Sequence, residues 1–268
     1  MEKLVALGTG YAVATKCFTT SFALTRGEET LLIDTGGGNG ILTQLERAEI
    51  DLGSIHHIFL SHKHTDHIMG VVWLIRMIGH RLGKDSYTPP LHIWCHASLI
   101  EGVEAMCRFM LPGRLLPELG TRILFHAVTD GETAQLAYWP VTFFDTGSVK
   151  DIQYGLRITL EAGQSLVFLG DEPLHEAAVP YAQGADYLLH EAMCLFADSD
   201  IYQPGRIAHS SVKEACANAA RLGARSLILF HTEDEHLATR KQTYTAEAQT
   251  FFDGTVYVPD DLDAIILK

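Results

Sequence analysis

Short apolar runs along this chain end repeatedly on a polar residue able to bind a metal or move a proton. TLLI runs into Asp34, IHHIFLS into His62, SLVFLG into Asp171, ADYLL into His190 and Glu191, and SLILF into His231. Apolar runs of this length, rich in Ile, Leu, Val and Phe, predict strands. Their continuous rather than alternating pattern predicts strands covered on both faces. In layered α/β folds the functional groups gather where strands give way to loops at one edge. These strand ends, far apart in sequence, are therefore expected to converge.

The remaining pattern supplies the other elements. KLVALGTG predicts a short strand running into a glycine turn, and SFALTRGEETLLIDTGG predicts a hairpin whose second strand is TLLID. NGILTQLERAEI has helical spacing at Ile41, Leu42, Leu45 and Ala48. HIMGVVWLIRMIGHRLG predicts a largely buried helix, with Trp73 and Met77 expected in its core face. Strands LHIWCH and TRILFHAV flank a helix around SLIEGVEAMCRFM. SSVKEACANAARLGA opens on a capping box of Ser211 and Glu214 and closes on Gly223, with His209 on the loop just before it. With no repeat, low-complexity segment or linker, residues 1–268 are expected to form one domain.

Composition narrows the chemistry. A chain of 268 residues that is 47% hydrophobic can bury a sizeable core. No apolar run approaches the roughly 20 residues needed to span a bilayer. The start, MEKLVALGTG, lacks the basic-then-apolar order of a signal peptide, so a cytoplasmic protein is expected. The five cysteines are scattered, with no C-x-x-C pair. That excludes a disulfide framework and a cysteine zinc knuckle, and predicts buried small apolar residues. Histidine is abundant, at 14, so a transition-metal site here must use imidazole and carboxylate. The net charge of −13 disfavours nucleic acid as a partner, and Arg76, Arg81 and Lys84 are expected to solvate a helix end.

The strongest cluster is FLSHKHTDHIMG. His62 and His64, two apart, can point the same way and take one ion, while Asp66 and His67 turn toward a second. Asp171 at another strand end is the natural carboxylate to bridge the two ions, and His231 the natural remaining ligand of the second. Neutral imidazole and carboxylate suit Zn²⁺, with Mn²⁺ or Fe²⁺ as alternatives. Such a site lowers the pKa of a bridging water and clamps attacking and leaving oxygens, which is hydrolytic chemistry. TGGGNG lacks the spacing of a phosphate-binding loop, and Asp34 before it is expected to brace loops rather than bind metal. His56 and His57 are expected to be explained by burial or exposure, and Glu233, Asp234 and Glu235 to be solvated.

LGTG, LLIDTGGG, FLSHKHTDHIMG, QYGLRI, FLGDEP, LLHEAMC, AHSSVKEACANAA and LILFHTED, in that order, resemble the ribonuclease Z-like branch of the metallo-β-lactamase superfamily. The resemblance implies a four-layer αβ/βα sandwich with one or two metal ions at the edge shared by its sheets. It implies His62, His64, Asp66, His67, Asp171 and His231 as metal ligands, with Asp66 also orienting or deprotonating the attacking water. His209 would stabilise the scissile phosphate and protonate the leaving oxygen, Glu191 would hold His209, and His190 would brace the loop. Two departures stand out. The histidine that the branch places before its Y-G-x-R-I stretch is absent from FFDTGSVKDIQYGLRI, where Gly147 matches best. The first ion is then expected to rest on His62, His64 and Asp171 alone, or to take Asp145 or His175 as a substitute. The long RNA-gripping arm is also absent, since LRITLEAGQSLVFLGD leaves room only for a tight turn at EAGQ.

The expected function is a metal-dependent hydrolase of a phosphodiester smaller than folded transfer RNA. The alternatives are ester, thioester or lactone hydrolysis at the same ions, or a non-catalytic metal-binding module. RFMLPGRLLPELG is expected to form a lid or a homodimer contact.

Overall fold

A computed structural model describes all residues, 1–268. The apolar runs become strands of two seven-stranded sheets. The first sheet contains β1 (Glu2–Gly8), β2 (Ser21–Arg26), β3 (Glu29–Ile33), β4 (Ile55–Phe59), β5 (Leu91–Cys95) and β6 (Ile123–Ala127). The second contains β7 (Thr133–Leu136), β8 (Trp139–Asp145), β9 (Tyr154–Thr159), β10 (Ser165–Phe168), β11 (Tyr187–Glu191), β12 (Ser226–Phe230) and β13 (Thr255–Tyr257). The last strand, β14 (Ala264–Leu267), returns to pair with β1 at the edge of the first sheet. Strands β3 to β6 run parallel to one another, as do β10 to β13, so their C-terminal ends share a direction within each sheet.

The helices are α1 (Gly40–Arg47), α2 (Thr65–Leu82), α3 (Ala97–Met110), the single turns α4 (Val179–Ala182) and α5 (Ser199–Tyr202), α6 (Val212–Leu222) and α7 (Leu237–Ala248). Three apolar layers separate four layers of structure. Ile58, Val71, Leu74, Ile78 and Val103 join the first sheet to α1, α2 and α3. Phe22, Phe59, Trp139, Phe143, Phe168 and Phe230 fill the space between the sheets. Leu188, Leu229, Val212, Ala219 and Tyr244 join the second sheet to α6 and α7. Burying each phenylalanine side chain contributes roughly 1.5–3 kcal/mol, before the cost of ordering the chain. Covered faces explain the continuous apolar runs: every residue of β10 and β11 is buried. This is the expected αβ/βα sandwich.

The local signals at α6 hold. Ser211 and Glu214 form the reciprocal capping box, and Gly223 ends the helix at φ +65°. The β9–β10 connection is the expected tight turn, in which Leu160 N donates to Gln164 O at 2.8 Å. No helix is long and apolar enough to cross a membrane. Four cysteines are buried and Cys17 is half-buried, all unpaired.

Two expectations fail. Trp73 and Met77 are not core residues but are 39% and 36% exposed. Helix α2 has one sheet to cover, and Val71, Leu74, Ile75 and Ile78 occupy that face, leaving the opposite one to solvent. Glu233 and Asp234 are not solvated but buried. Glu233 accepts from the amides of Glu235 and His236, and Asp234 from those of Thr15 and Lys16. Loop amides that would otherwise be orphaned recruit these carboxylates inward.

His57 shows how burial governs a histidine away from the strand ends. Its ring stacks on His92 with centroids 4.9 Å apart, and its two nitrogens lie 3.1 Å from the Trp94 indole nitrogen and from the Ala137 amide nitrogen. Burial, then the neighbouring His92, His56 and His126, push its pKa down to about 3. The unfolded chain therefore binds the extra proton first. Stability tied to His57 is fully present above about pH 6.5 and is lost as pH falls from there toward 3. In metal-free protein, urea unfolding at pH 4.5 is expected to show a loss on the order of 1–2 kcal/mol from this group relative to pH 7, allowing for its partial exposure. His57→Phe should fall less steeply with acid than wild type. Parallel falls would refute the assignment.

Candidate metal centre

The C-terminal strand ends meet at one edge of the sandwich, and each delivers a side chain to it. Asp34 follows β3, Ser61 and His62 follow β4, Asp171 follows β10, Glu191 ends β11 and His231 follows β12. Helix α2 starts at this edge, with His64 at its N-cap and Asp66 and His67 in the first turn. Asp34 and His231 both adopt left-handed backbone, at φ +57°. Such strain costs on the order of 1–3 kcal/mol in a non-glycine residue and tends to mark functional sites.

Outer hydrogen bonds fix the rings so that one nitrogen of each faces inward. His67 Nδ1 donates to Asp34 Oδ2 at 2.7 Å, and Asp34 also accepts from Ser61 N and Ser61 Oγ. His231 Nδ1 meets Thr20 Oγ1 at 2.8 Å. His62 Nδ1 lies 2.9 Å from Ser61 Oγ and 3.2 Å from Gln153 Nε2. Gln153 Nε2 also donates to Asp171 Oδ1. Asp34 thus braces, as expected. So does His190, whose Nδ1 donates to Glu191 O at 2.7 Å while Asn218 contacts its Nε2 at 3.0 Å.

The inward atoms form two donor groups sharing Asp171. One is His62, His64 and Asp171; the other is Asp66, His67, Asp171 and His231; within each, the donor atoms all lie within 4.8 Å of one another. Asp171 Oδ1 is 3.6 Å from His62 Nε2, while its Oδ2 is 3.5 Å from His67 Nε2 and 3.6 Å from His231 Nε2. Asp66 Oδ2 is 3.2 Å from His67 Nε2. Tetrahedral coordination at about 2.0–2.2 Å puts neighbouring donors roughly 3.3–3.6 Å apart, so these spacings suit a divalent ion. His62 Nε2, His67 Nε2 and Asp66 Oδ2 are buried without a hydrogen-bond partner. Leaving such atoms unpaired is costly, and one ion in each donor group would satisfy them, His62 Nε2 in the first and His67 Nε2 with Asp66 Oδ2 in the second.

The charges agree. Burial opposes charge on His67, yet Asp34, Asp171 and Asp66 outweigh it and hold the pKa well above the usual histidine value. Burial would raise Asp171, but His62, His67 and His231 bring it well below the usual carboxylate range. Burial likewise opposes ionisation of Asp66, and His67 reverses it. Burial pushes His62 down to about 4 and His231 to about 3. In the metal-free cluster the His67 proton supplies the positive charge that these carboxylates demand.

Beside this cluster stands His209, its ring stacked on His231 with centroids 5.1 Å apart. His209 Nδ1 faces Glu191 Oε2 at 3.6 Å, and neither atom has another partner. Glu191 Oε1 accepts from Ser210 N at 2.5 Å, which keeps the carboxylate aimed at the ring. On the other side, Lys150 Nζ is 3.2 Å from His209 Nε2.

Every ligand and acid–base residue the sequence nominates is therefore at this edge, whereas neither substitute for the absent histidine belongs to a donor group. Asp145 Oδ1 is engaged by Gly147 N at 2.8 Å, and His175 Nε2 pairs with Glu172 at 3.0 Å. Gly147 has φ +76°, and a Cβ there would point at Ala177 and His175 rather than at the cluster. Sequence reasoning missed Thr20, Ser61, Lys150, Asp151 and Gln153. Ser61 adjoins a strand end and could have been suspected; the others follow no local pattern.

The beta-lactamase superfamily domain matches residues 29–232. A ribonuclease Z from Synechococcus sp. strain WH7803 is 26% identical, with 96% of this chain and 94% of that protein covered. That alignment spans 309 positions although it uses only 96% of 268 residues, so about fifty positions of the relative face gaps in this chain. Among solved structures, the metallo-β-lactamase fold protein YhfI from Bacillus subtilis superposes with a TM-score of 0.79 at 21% identity, covering 98% of each chain. The short form of human tRNase Z superposes with a TM-score of 0.76 at 19% identity, covering 99% of each chain. At those identities the superpositions establish the fold, and the family match with its ribonuclease Z relatives establishes the lineage. This chain belongs to the metallo-β-lactamase superfamily, in its ribonuclease Z-like branch, without the long arm.

Proposed function

We propose that this protein is a metal-dependent phosphodiesterase acting on substrates smaller than folded transfer RNA. His62, His64 and Asp171 would hold one ion, and Asp66, His67, Asp171 and His231 a second, with Zn²⁺ favoured and Mn²⁺ or Fe²⁺ also suited to these donors. Ions bound there supply Lewis acidity and a water of lowered pKa. Against the effect of burial, His67 holds Asp66 well below the usual carboxylate range, so Asp66 can orient that water or accept its proton through the oxygen it does not give to the ion. Glu191 favours the His209 tautomer with its proton on Nδ1 and stabilises the imidazolium, so that Nε2 can deliver a proton to a departing oxygen. Lys150 beside Nε2 offers a cation to the phosphoryl oxygens, without a bulky arm to grip RNA.

The observation that carries the reading is the His209–Glu191 pair with Lys150, placed beside His231. Acid and cation together suit a leaving alkoxide and an anionic phosphoryl group. The tight β9–β10 turn and the net charge of −13 support the size limit. The five unpaired cysteines suit a reducing compartment, which supports a cytoplasmic setting. The test is parallel turnover of bis(p-nitrophenyl) phosphate, cyclic nucleotides, a transfer-RNA precursor and a lactone by metal-loaded protein. Small phosphodiesters should turn over well ahead of the precursor. Bound metal with no phosphodiester turnover would sink the proposal, and lactone turnover alone would replace it with ester chemistry.

A further inference from the structure

We propose that Glu172 is a positioning residue of the active site, whose buried carboxylate folds residues 148–150 into the turn that sets Lys150 beside His209. The inference rests on the phosphodiesterase reading above, in which Lys150 meets the phosphoryl group. Glu172 follows Asp171 directly and is 2% exposed. Its Oε1 accepts from Ser148 Oγ at 2.7 Å and from Lys150 N at 3.3 Å, and its Oε2 from Val149 N at 3.0 Å. Oε2 also pairs with His175 Nε2 at 3.0 Å. Burying a carboxylate is costly unless donors surround it, and here three of the four donors come from a single turn.

Apolar packing does not hold that turn. It is the excursion between β8 and β9, closed at its base where Thr146 N donates to Gln153 O at 3.0 Å. Beyond that bond, Val149 and Ile152 are 71% and 52% exposed. Ser148 Oγ, besides donating to Glu172, accepts from Lys150 N and Asp151 N at 3.3 Å each. Lys150 Nζ then reaches His209 Nε2 at 3.2 Å, and Asp151 Oδ2 lies 3.1 Å from His64 Nε2. The turn thus touches the proposed acid at one residue and a histidine of the first donor group at the next. A lysine side chain has many rotamers, so a cation meant for one anion needs its backbone fixed. Glu172 fixes it to the strand end that carries Asp171.

Glu172→Gln keeps the shape but turns an N–H₂ toward the donors of the turn, so at least one of them loses its acceptor. The test is a double-mutant cycle on Zn²⁺-loaded protein with E172Q, K150A and E172Q/K150A. It is read as calorimetric affinity for inorganic phosphate and as KM and kcat for bis(p-nitrophenyl) phosphate. K150A should weaken phosphate and raise KM about tenfold or more, the scale of a hydrogen bond to a charged group. The change in kcat should be smaller, because the phosphoryl oxygens are charged before the reaction as well as during it. E172Q should show the same split, and the double variant should match K150A. Zn²⁺ content should stay at the wild-type value throughout, since Glu172 and Lys150 belong to neither donor group. H175A leaves the three bonds to the turn intact and should match wild type. Should E172Q fail to fold, S148A decides: it removes one donor from the same carboxylate, and should weaken phosphate in the wild-type background and not beside K150A. Unchanged phosphate affinity in E172Q, losses that multiply in the double variant, or an unchanged K150A would each overturn the positioning role while phosphodiester turnover by wild type stands. If metal-loaded wild type turns over no phosphodiester, the underlying reading falls and takes this one with it.

Discussion

Asp171→Asn is expected to empty both halves of the metal centre, cutting metal content from two ions per chain to less than one. The carboxylate is the one group common to both donor sets. Its Oδ1 faces His62 and its Oδ2 faces His67 and His231, so no other single residue touches every inward nitrogen except that of His64. An asparagine leaves one carbonyl oxygen, places an N–H₂ toward rings that await a cation, and removes a negative charge from a cluster built around one. Gln153 would also lose the charged acceptor for its amide, loosening its hold on His62. Lewis acidity and the activated water are together worth several kilocalories per mole, so kcat/KM should fall on the order of 10³ or more. Metal analysis after dialysis, with circular dichroism to confirm the fold, gives the answer. An Asp171→Asn protein that keeps two ions per chain would refute the bridging role.

The same residue shows how much of the site was legible in advance. SLVFLG stopping at Asp171, SLILF at His231 and IHHIFLS at His62 were readable because buried strands must be apolar throughout, so a polar residue at their ends is conspicuous. The capping box of Ser211 and Glu214 was readable because it is local. What failed to show depends on contacts between distant segments. Thr20 orients His231, and Gln153 orients His62 and Asp171, yet each is an ordinary polar residue in its own stretch. Strand β8 carries Trp139, Phe143 and Phe144 but alternates buried with partly exposed positions, and β13 and β14 have only three and four residues. Helix α7 hides a fully buried Arg240, held by Thr232, Pro259 O and Asp260, where a charge would ordinarily mark the solvent face. The intact metal motif also drew attention to a nearby replacement for the lost histidine. Neither Asp145 nor His175 joins a donor group; Asp145 Oδ1 accepts from Gly147 N, and His175 pairs with Glu172.

His209→Ala is expected to separate acid catalysis from metal chemistry. His209 belongs to neither inward donor group, so metal content should stay at the wild-type value. Its loss leaves Glu191 buried opposite an empty space, and removes the group proposed to protonate an oxygen leaving beside Lys150. A positioned general acid contributes about 10²–10⁴-fold, and that loss should fall mainly on kcat with substrates whose leaving group is an alkoxide, such as a nucleoside hydroxyl. Bis(p-nitrophenyl) phosphate releases a stable phenolate that needs no proton, so its turnover should drop far less. Glu191→Gln should share the leaving-group pattern at smaller amplitude, because the amide can still orient His209 but cannot stabilise its charge. A uniform loss across both substrates would mean that His209 only positions the phosphate. An unchanged rate with the alkoxide substrate would remove it from the mechanism, and with it the geometric case for phosphodiester over ester hydrolysis.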